Sequence, residues 1–356
     1  MPMKILVDDK IPYIKGEIEQ IADEVIYLSA SDFTPEVVHD ADAMVIRTRT
    51  RCGRALLQGS RVKFIVTATI GFDHIDTVYC QECGIVWANC PGCNASSVAQ
   101  YIHSALLLLK KNRSLDFKSI TLGIVGVGHV GKKIAELGKD LGMKVLLCDP
   151  PRADIEEPEN QDEKERSKKI NKPKKFSKLS ELAASCDIIT FHTPLVRQGK
   201  YPTFHLANQG FFTSLQCRPI IINTSRGEVI DTSALIYALQ NYQVRDAIID
   251  VWENEPYISL PLLERVYLGT AHIAGYSADG KAMATEMTLN ALCEYFHIQK
   301  KFKITPPALE KSVDPILDED EAQLSLYNPV NDSNALKRHP EDFEKLRSNY
   351  PLRREF

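Results

Sequence analysis

The stretch SITLGIVGVGHVGKKIAELGKDLGMKVLLCDP, residues 119–150, decides the fold class. An apolar, β-branched run leads into Gly126-x-Gly128-x-x-Gly131, a helical pattern follows, and a second apolar run ends at Asp149. Glycines placed between a strand and a helix in this way form the turn that holds a dinucleotide pyrophosphate at the helix N-terminus. The stretch therefore predicts a βαβ unit with a dinucleotide site.

Each residue of this turn has a predicted role. Gly126 allows the tight turn, Gly128 lets the backbone approach the pyrophosphate, and Gly131 lets helix and strand pack closely. Asp149, 18 residues after Gly131, is placed to accept hydrogen bonds from the adenosine ribose and to repel a 2′-phosphate, which favours NAD over NADP. A glycine-rich turn without a nucleotide is the alternative. The predicted cofactor-binding residues here are Gly126, Gly128, His129, Val130, Gly131 and Asp149.

Strand and helix patterns continue to alternate after residue 178, in LSELAASCDIITFHTPL, RPIIINTSRGEVID and VRDAIIDVWENEP. This alternation is typical of an α/β fold of the Rossmann type with a doubly wound parallel sheet, whose ligands bind beyond the carboxyl ends of the strands. Residues 192–194, 223–227 and 250–252 each follow a predicted strand. We expect them to line one crevice.

Residues 152–178 interrupt this alternation with charges. Acids dominate the first half of the run and bases the second, and Phe176 is its single aromatic residue. Such a composition indicates a solvated, mobile loop, here near the adenosine end of the nucleotide site.

Composition narrows the function classes. The 356 residues are long enough for two domains, and a net charge of −4 with 25% charged residues argues against general nucleic-acid binding. The N-terminus lacks the pattern of a secretion signal, and no segment approaches the roughly 20 apolar residues that span a bilayer. Nine cysteines without a signal indicate reduced thiols. We expect a cytoplasmic protein whose partner is a small molecule, with no membrane contact.

Two C-x-x-C pairs raise the possibility of zinc: Cys80 with Cys83, and Cys90 with Cys93. The run IVWAN between them is strand-like, and at ~3.3 Å per residue it holds the pairs about 15 to 20 Å apart. One zinc ion needs all its thiolates at about 2.3 Å. Core and loop cysteines are the favoured interpretation, and no metal site is expected.

Three ionisable residues follow predicted strands: Arg226, Glu255 and His272. A 2-hydroxy acid that loses hydride from C2 must also lose its hydroxyl proton, and a histidine accepts a proton near neutral pH. A carboxylate would orient that imidazole, and a guanidinium would grip the substrate carboxylate. Each residue alone also has an ordinary explanation as a loop or surface residue.

The glycine turn with Asp149, together with NTSRGEVID, DVWENEP and HIAGY, resembles the D-isomer-specific 2-hydroxyacid dehydrogenases over most of the chain. The resemblance implies that Arg226 binds substrate, that Glu255 partners His272, and that His272 donates or accepts the proton. It also implies that NAD is held by Asp250 and by the backbone near two further residues, Thr193 and Gly275.

A subgroup that acts on a phosphorylated 2-hydroxy acid is the nearest in appearance, through TATIGFDHID, PGCNA and DFEKLRSNYPLRREF. Carried over by position, Thr48, Thr69 and Tyr276 are implied substrate contacts. The residues themselves add RTRTR at 47–51, where Arg49 is our candidate for the phosphate and the three arginines share one side if the run stays extended. A solvated basic loop is the alternative.

The predicted domains follow from these assignments. Residues 1–94, with a return segment at 272–300, form a smaller, flavodoxin-like α/β substrate domain, and residues 95–271 form the NAD domain. Residues 301–356 form a C-terminal segment. Its first part is Pro-rich and acidic, a composition typical of a tail, and a short helix is predicted in PEDFEKLRSNY. By resemblance, this segment makes a homodimer. Substrate is expected in the cleft. Two alternatives stay open: another acid of the 3-phosphoglycerate or glycerate type, and an NAD-sensing protein without catalysis.

Overall fold

The computed structural model describes residues 3–157, 174–308 and 316–355. The chain divides into two compact units. Unit 1 comprises Met1–Ser97, Tyr276–Glu310 and Leu352–Phe356, and unit 2 comprises Val98–Gly275 and Lys311–Pro351. The C-terminal segment, predicted as one block from residue 301, is thus divided between the two units, and its role in dimerisation stays a prediction.

Strands and helices alternate along most of the described chain. The strands are β1 (Lys4–Asp8), β2 (Glu24–Leu28), β3 (Ala43–Ile46), β4 (Phe64–Thr67), β5 (Val86–Ala88), β6 (Thr121–Val125), β7 (Lys144–Cys148), β8 (Ile188–Phe191), β9 (Ile220–Asn223), β10 (Asp246–Ile249) and β11 (Leu268–Gly269). The helices are α1 (Pro35–Val38), α2 (Arg54–Leu57), α3 (Thr77–Glu82), α4 (Ala95–Arg113), α5 (His129–Asp140), α6 (Pro150–Glu156), α7 (Leu179–Ser185), α8 (Gln209–Thr213), α9 (Thr232–Gln240), α10 (Leu260–Arg265), α11 (Ala278–Tyr295), α12 (Glu319–Leu326), α13 (Pro329–Arg338) and α14 (Phe343–Ser348). None of the helices in the described ranges is long and apolar enough to cross a membrane.

Unit 1 contains a parallel sheet in the order β2-β1-β3-β4-β5. This order is the flavodoxin-like one, in agreement with the predicted fold. Alternate residues of a strand face opposite sides of a sheet. Accordingly, Leu6 lies in one buried cluster and Val7 in another, and the second cluster includes Leu289 of α11. The strands are therefore covered on both faces, as their apolar sequences require.

Unit 2 contains a second parallel sheet, in the order β11-β10-β9-β8-β6-β7. The predicted βαβ unit is β6-α5-β7. The strands predicted within residues 179–195, 218–231 and 244–256 are present as β8, β9 and β10. The Rossmann-type α/β fold class is confirmed. Because the strands are parallel, the residues that follow them meet at one edge of the sheet.

The prediction of a solvated loop over residues 152–178 is wrong at both ends of the run. Residues 150–156 form α6, because Asp149 accepts a hydrogen bond from the backbone N–H of Arg152 at 3.1 Å and Pro150 fits the first turn. Phe176 is buried, and the Arg152 guanidinium lies 5.3 Å from its ring centroid. Residues 158–173 of the predicted loop lie outside the described residues.

The C-terminal segment is more helical than its Pro-rich, acidic sequence indicates. The short helix predicted in PEDFEKLRSNY is present as α14, but α12 and α13 were not predicted. Asp318 and Asn328 cap the two missed helices by accepting backbone N–H bonds. Leu336 and Phe343 are fully buried in the core of unit 2, which is how tertiary packing stabilises a segment that reads locally as a tail.

Candidate active site

The glycine turn has the tight geometry that the sequence predicts. Gly126 has a φ of +87°, and a Cβ there would lie 2.6 Å from the carbonyl oxygen of His192. A Cβ on Gly131 would lie 2.0 Å from the carbonyl oxygen of Gly126. Both positions therefore require glycine, one for the backbone angle and both for the close approach. Gly128, at the N-cap of α5, has open space where a side chain would stand.

This geometry fits a dinucleotide. The space above Gly128 lies at the N-terminus of α5, where backbone N–H groups lack helical partners and attract a phosphate. Near the same turn, the Thr193 hydroxyl is buried and has no hydrogen-bond partner among the described residues. A buried hydroxyl without a partner is unfavourable unless a ligand completes its bonding. Both observations agree with the predicted NAD-binding role of these residues.

Asp149 builds part of the turn itself. One carboxylate oxygen accepts the backbone N–H of Val127 at 2.8 Å, and the other accepts that of Arg152 at 3.1 Å. The Arg152 guanidinium in turn donates to the carbonyl of Val127 and is paired with Glu156. An arginine near this acid would be the natural partner of a 2′-phosphate, but here its charge is already compensated. The arrangement favours NAD.

His192 joins the ends of two neighbouring strands. Its Nε2 lies 2.9 Å from the hydroxyl of Thr190 on β8, and its Nδ1 lies 3.3 Å from the hydroxyl of Thr224, which follows β9. Burial lowers the pKa of His192 to about 3. The imidazole is therefore neutral at physiological pH and serves to hold these strand ends together.

The predicted catalytic pair is formed in unit 2. His272 Nδ1 lies 2.8 Å from Glu255 Oε2, and the backbone N–H of Trp252 donates to the other oxygen at 2.9 Å. Burial by itself raises the pKa of the Glu255 carboxyl, but the charge and hydrogen bond of His272, the Trp252 N–H and the charge of Arg347 outweigh it and hold that pKa below its usual range. Glu255 is therefore ionised, and its bond fixes the Nδ1–H tautomer, with Nε2 available as a base.

A buried aspartate shapes the turn that carries His272. Asp250 follows β10 and accepts hydrogen bonds from the Thr270 hydroxyl at 2.6 Å and from the backbone N–H groups of Ile273 and Ala274. Its backbone carbonyl also accepts the N–H of His272, whose φ is +56°. The carboxylate thus holds a strained backbone in place, a role that sequence analysis did not assign. Its predicted contact with NAD, like that of Gly275, stays a prediction.

Arg226 lies on an adjacent turn, after β9. Asn223 organises this turn, since its side-chain amide donates to the carbonyl of Arg226 at 2.9 Å and its side-chain oxygen accepts the N–H of Ser225. A Cβ on Gly227 would lie 2.0 Å from the backbone carbon of Trp252. The turn of Arg226 is therefore pressed against the turn that leads to Glu255, so the structure gathers the predicted trio at one sheet edge.

The arginine-rich run at residues 47–51 is a turn, not an extended strand. The backbone N–H of Thr50 bonds to the carbonyl of Arg47 at 3.2 Å, so the condition for three arginines on one side is not met. The Nε of Arg47 is 3.0 Å from Oδ1 of the fully buried Asp8, whereas Thr48 and Arg49 are exposed. The phosphate role predicted for Arg49 is untested.

Thr69 lies after β4 in a small hydroxyl network. Its Oγ1 donates to the carbonyl of Gly71 at 3.0 Å and lies 2.7 Å from the Thr67 hydroxyl, which is also 3.1 Å from His74 Nε2. These bonds shape the loop. The substrate contact implied for Thr69 stays a prediction.

Tyr276 lies next to a cationic cluster of unit 1 that sequence analysis missed. The Lys281 ammonium lies 5.2 Å from the centroid of the Tyr276 ring. Burial, together with the positive charges of Arg47 and Arg353, holds the pKa of Lys281 below its usual range. Arg353 is itself only 5% exposed. We call Arg47, Lys281 and Arg353 the cationic cluster.

The sequence pattern pointed only in part to Arg347, Arg353 and Lys281. Arg347 and Arg353 lie in the C-terminal stretch DFEKLRSNYPLRREF, which carried the resemblance, but nothing in the pattern tells which arginine meets which partner. Lys281 reads as an ordinary residue in the first turns of α11. Only tertiary contacts distinguish them.

The four cysteines of the two C-x-x-C pairs differ in their exposure to solvent. Cys80 and Cys90 are buried, Cys83 is exposed and Cys93 is intermediate. The Cys90 thiol donates to the carbonyl of Ala284 on α11 at 3.2 Å. Within residues 3–157, 174–308 and 316–355, no group of three His, Cys, Asp or Glu side chains is arranged to hold a metal.

Known proteins are similar to the nucleotide-binding part of this chain and also to the chain as a whole. Residues 107–274 match the family model described as D-isomer specific 2-hydroxyacid dehydrogenase, NAD binding domain. Erythronate-4-phosphate dehydrogenase of Bacteroides thetaiotaomicron is 57% identical over 353 residues, which are 99% of this chain and 97% of that protein. The protein of the same name from Porphyromonas gingivalis is 40% identical, over 99% of this chain and 94% of its own.

A solved structure agrees on the fold. The NAD⁺-bound 3-phosphoglycerate dehydrogenase of Entamoeba histolytica has a TM-score of 0.67 and 24% identity, and the match covers 87% of this chain and all of that one. At this identity the likeness concerns the fold alone. The full-length similarity and the domain match carry the assignment: the chain belongs to the erythronate-4-phosphate dehydrogenase family, within the NAD-dependent D-isomer-specific 2-hydroxyacid dehydrogenases.

Proposed function

We propose that the protein oxidises 4-phospho-D-erythronate at C2 with NAD, giving 3-hydroxy-2-oxo-4-phosphooxybutanoate in the biosynthesis of pyridoxal 5′-phosphate. The observation that carries the chemistry is the 2.8 Å contact between His272 Nδ1 and Glu255 Oε2, in the same unit as a glycine turn whose geometry fits a dinucleotide. The choice of substrate rests on the relatives, which are 57% and 40% identical and carry that name.

The chain's own groups account for the proton transfer. With Nδ1 bound to Glu255, the Nε2 of His272 accepts the proton of the C2 hydroxyl as the C2–H bond breaks. Bound NAD would supply the acceptor for the hydride of C2, and the glycine turn with Asp149 would hold it. The resulting imidazolium is stabilised by the ionised Glu255, which does not itself take the proton. Arg226 holds the substrate carboxylate and polarises the 2-oxygen, as its planar guanidinium allows.

The cationic cluster of unit 1 is our candidate for recognition of the phosphate group. Lys281 carries a pKa held low by burial and by the charges of Arg47 and Arg353, so these cations repel one another in the free protein. A phosphate dianion would relieve that repulsion and accept charge-assisted hydrogen bonds. We assign the phosphate to the cationic cluster with Arg49 beside it, and contacts with the remainder of the substrate to Thr48, Thr69 and Tyr276.

Steady-state kinetics test the assignment. Oxidation of 4-phosphoerythronate, 3-phosphoglycerate and unphosphorylated erythronate is compared with NAD and a 2-oxo acid acceptor present. We expect kcat/KM to favour 4-phosphoerythronate by at least about 100-fold over erythronate, because charge-assisted bonds to a phosphate contribute about 1.5–3 kcal/mol each. Equal or better turnover of another acid would assign the protein to that substrate. NAD binding without turnover of any of the three would favour a non-catalytic sensor.

The proposal also covers assembly and location. By family resemblance, the protein acts as a homodimer in the cytoplasm. Light scattering at micromolar concentration would report twice the mass of one chain, and a monomer under those conditions would contradict the dimer.

A further inference from the structure

Arg347 contacts the same carboxylate that orients the catalytic histidine. Its Nη1 lies 3.7 Å from Glu255 Oε2, the oxygen that is 2.8 Å from His272 Nδ1. We propose that Arg347 is a positioning residue, which shares the Glu255 carboxylate with His272 and so sets the pH range over which the pair accepts a proton. The proposal deepens the proposed function by assigning a role to the C-terminal segment of unit 2.

The segment around Arg347 is firmly held in unit 2. Phe343, one turn before Arg347 on α14, is fully buried in the cluster that includes Trp252 and Ala271. Leu346 packs against the same cluster. Because Trp252 also donates its backbone N–H to Glu255, the core that anchors α14 is continuous with the turn that carries the carboxylate. Packing therefore fixes the backbone position of Arg347, and the charge of Glu255 attracts its side chain.

The neighbouring helix anchors the segment through polar contacts. Ser333 Oγ accepts the backbone N–H of Gly269 on β11 at 3.1 Å, and the Lys337 ammonium donates to the carbonyl of Val266 at 2.6 Å. The hydroxyls of Tyr327 and Tyr350 both donate to Asp332. These bonds tie α13 and the end of α14 to the strand from which the His272 turn emerges.

The contact between Arg347 and Glu255 affects the negative charge that is available to His272. The Arg347 and Glu255 side chains are 20% and 18% exposed, so water screens their interaction less than it screens a surface pair. The positive charge of Arg347 partly compensates the negative charge of Glu255, which is the charge that stabilises the imidazolium of His272. Arg347 therefore opposes protonation of His272, and its removal should let the imidazole hold its proton to a higher pH.

The other charged groups of these turns are engaged elsewhere. Glu253 accepts from His205 Nε2 at 2.7 Å and from the backbone N–H of Thr232 at 2.9 Å. Asp250 is bonded to the residues around the His272 turn, and Arg226 donates to the carbonyl of Ser225 at 2.8 Å. Of the groups named here, Arg347 and His272 lie within 4.0 Å of the Glu255 carboxylate, which makes Arg347 the residue to change.

The test compares Arg347→Met and Arg347→Lys with the unchanged protein. Lys345→Met is the matched control, since Lys345 lies on the same helix but pairs with Asp342 at the surface, with 70% of its side chain exposed. For oxidation, His272 must be neutral, so kcat/KM falls on the acid side. We expect Arg347→Met to move that acid limb up by about 0.5 to 1 pH unit. Arg347→Lys keeps the positive charge, so its acid limb should lie close to that of the unchanged protein. Lys345→Met should not move the acid limb.

A role in folding alone would give a different result. It would lower stability or the amount of active protein without moving the acid limb, and Arg347→Met with an unmoved limb would overturn the proposal. A shift reproduced by Lys345→Met would also overturn it, because the effect would then be one of net charge.

A readout independent of substrate separates this proposal from the proposed function. The imidazole of His272 is followed by NMR of histidine-labelled protein, with its signal assigned by loss in His272→Asn. We expect its titration midpoint to rise in Arg347→Met by the same amount as the acid limb, whichever acid is oxidised. An unmoved midpoint refutes the Arg347 role, whereas failure to turn over 4-phosphoerythronate with a moved midpoint refutes only the substrate.

Discussion

The charged residues of the two units are arranged in opposite ways. In unit 2, Glu255 lies 2.8 Å from His272 and 3.7 Å from Arg347, so unlike charges meet. In unit 1, burial, together with the like charges of Arg47 and Arg353, lowers the pKa of Lys281. The first arrangement is stable as it stands and prepares a base. The second holds like charges together, with Arg47 also paired to Asp8, and a bound anion would stabilise it further.

The largest effect should come from breaking the paired arrangement. His272→Asn removes the base, so we expect kcat for oxidation to fall at least about 1,000-fold, within the range for general bases. NAD binding, measured by calorimetry, should stay within about threefold, because the glycine turn is untouched.

His339→Asn is the matched control for this change. His339 also pairs with a glutamate, at 3.3 Å, but that pair is exposed. Its kcat should match that of the unchanged protein. Substantial turnover by His272→Asn would contradict the role of His272 in proton transfer.

The next largest effect should come from removing one charge of the cationic cluster. Lys281→Met should raise KM for 4-phosphoerythronate about 10- to 100-fold, because one charge-assisted hydrogen bond to phosphate is lost, and should change KM for erythronate little. Lys15→Met is the control, since Lys15 also lies over a tyrosine ring, 5.8 Å from that of Tyr27. Equal changes in KM for both substrates would remove the cationic cluster from phosphate recognition.

Arg49→Ala should have a smaller effect of the same kind. Arg49 is exposed, so its contact with a phosphate competes with water and we expect a rise in KM of about three- to tenfold for the phosphorylated substrate. The measurement is the ratio of KM changes for 4-phosphoerythronate and erythronate. A ratio of one would leave Arg49 as part of a solvated basic turn.

The smallest effect concerns stability. Because the pKa of Lys281 is lowered in the folded protein, the unfolded chain binds the proton more tightly, and stability rises with pH from the folded pKa towards the ordinary lysine value. Below that window the full unfavourable effect is present. Lys281→Met should therefore raise Tm by about 1–3 °C at neutral pH, and this gain should shrink near pH 10. A lower Tm at neutral pH would mean that Lys281 stabilises the free protein.

Sequence reasoning succeeded where local pattern dictates structure. Gly126 and Gly131 could be assigned because only glycine tolerates their backbone angle or close approach, and the α/β alternation gave the sheets. It failed where capping and burial stabilise a helix that the charge content of the segment does not indicate. Residues 150–156 form a helix because Asp149 caps it, and α12 and α13 are stabilised by capping and by burial of Leu336. Charge content alone predicted a loop and a tail there.

The sequence by itself determined the dinucleotide turn, the parallel α/β architecture and the order of Arg226, Glu255 and His272, because these depend on residues close in the chain or on the period of apolar positions. Tertiary structure alone decided which charged group each arginine acts on. Arg47 meets Asp8, Arg347 meets Glu255, and Arg353 acts on Lys281. The physical reason is that charge pairing depends on distances of a few ångströms between residues far apart in sequence, and only the packed core sets those distances.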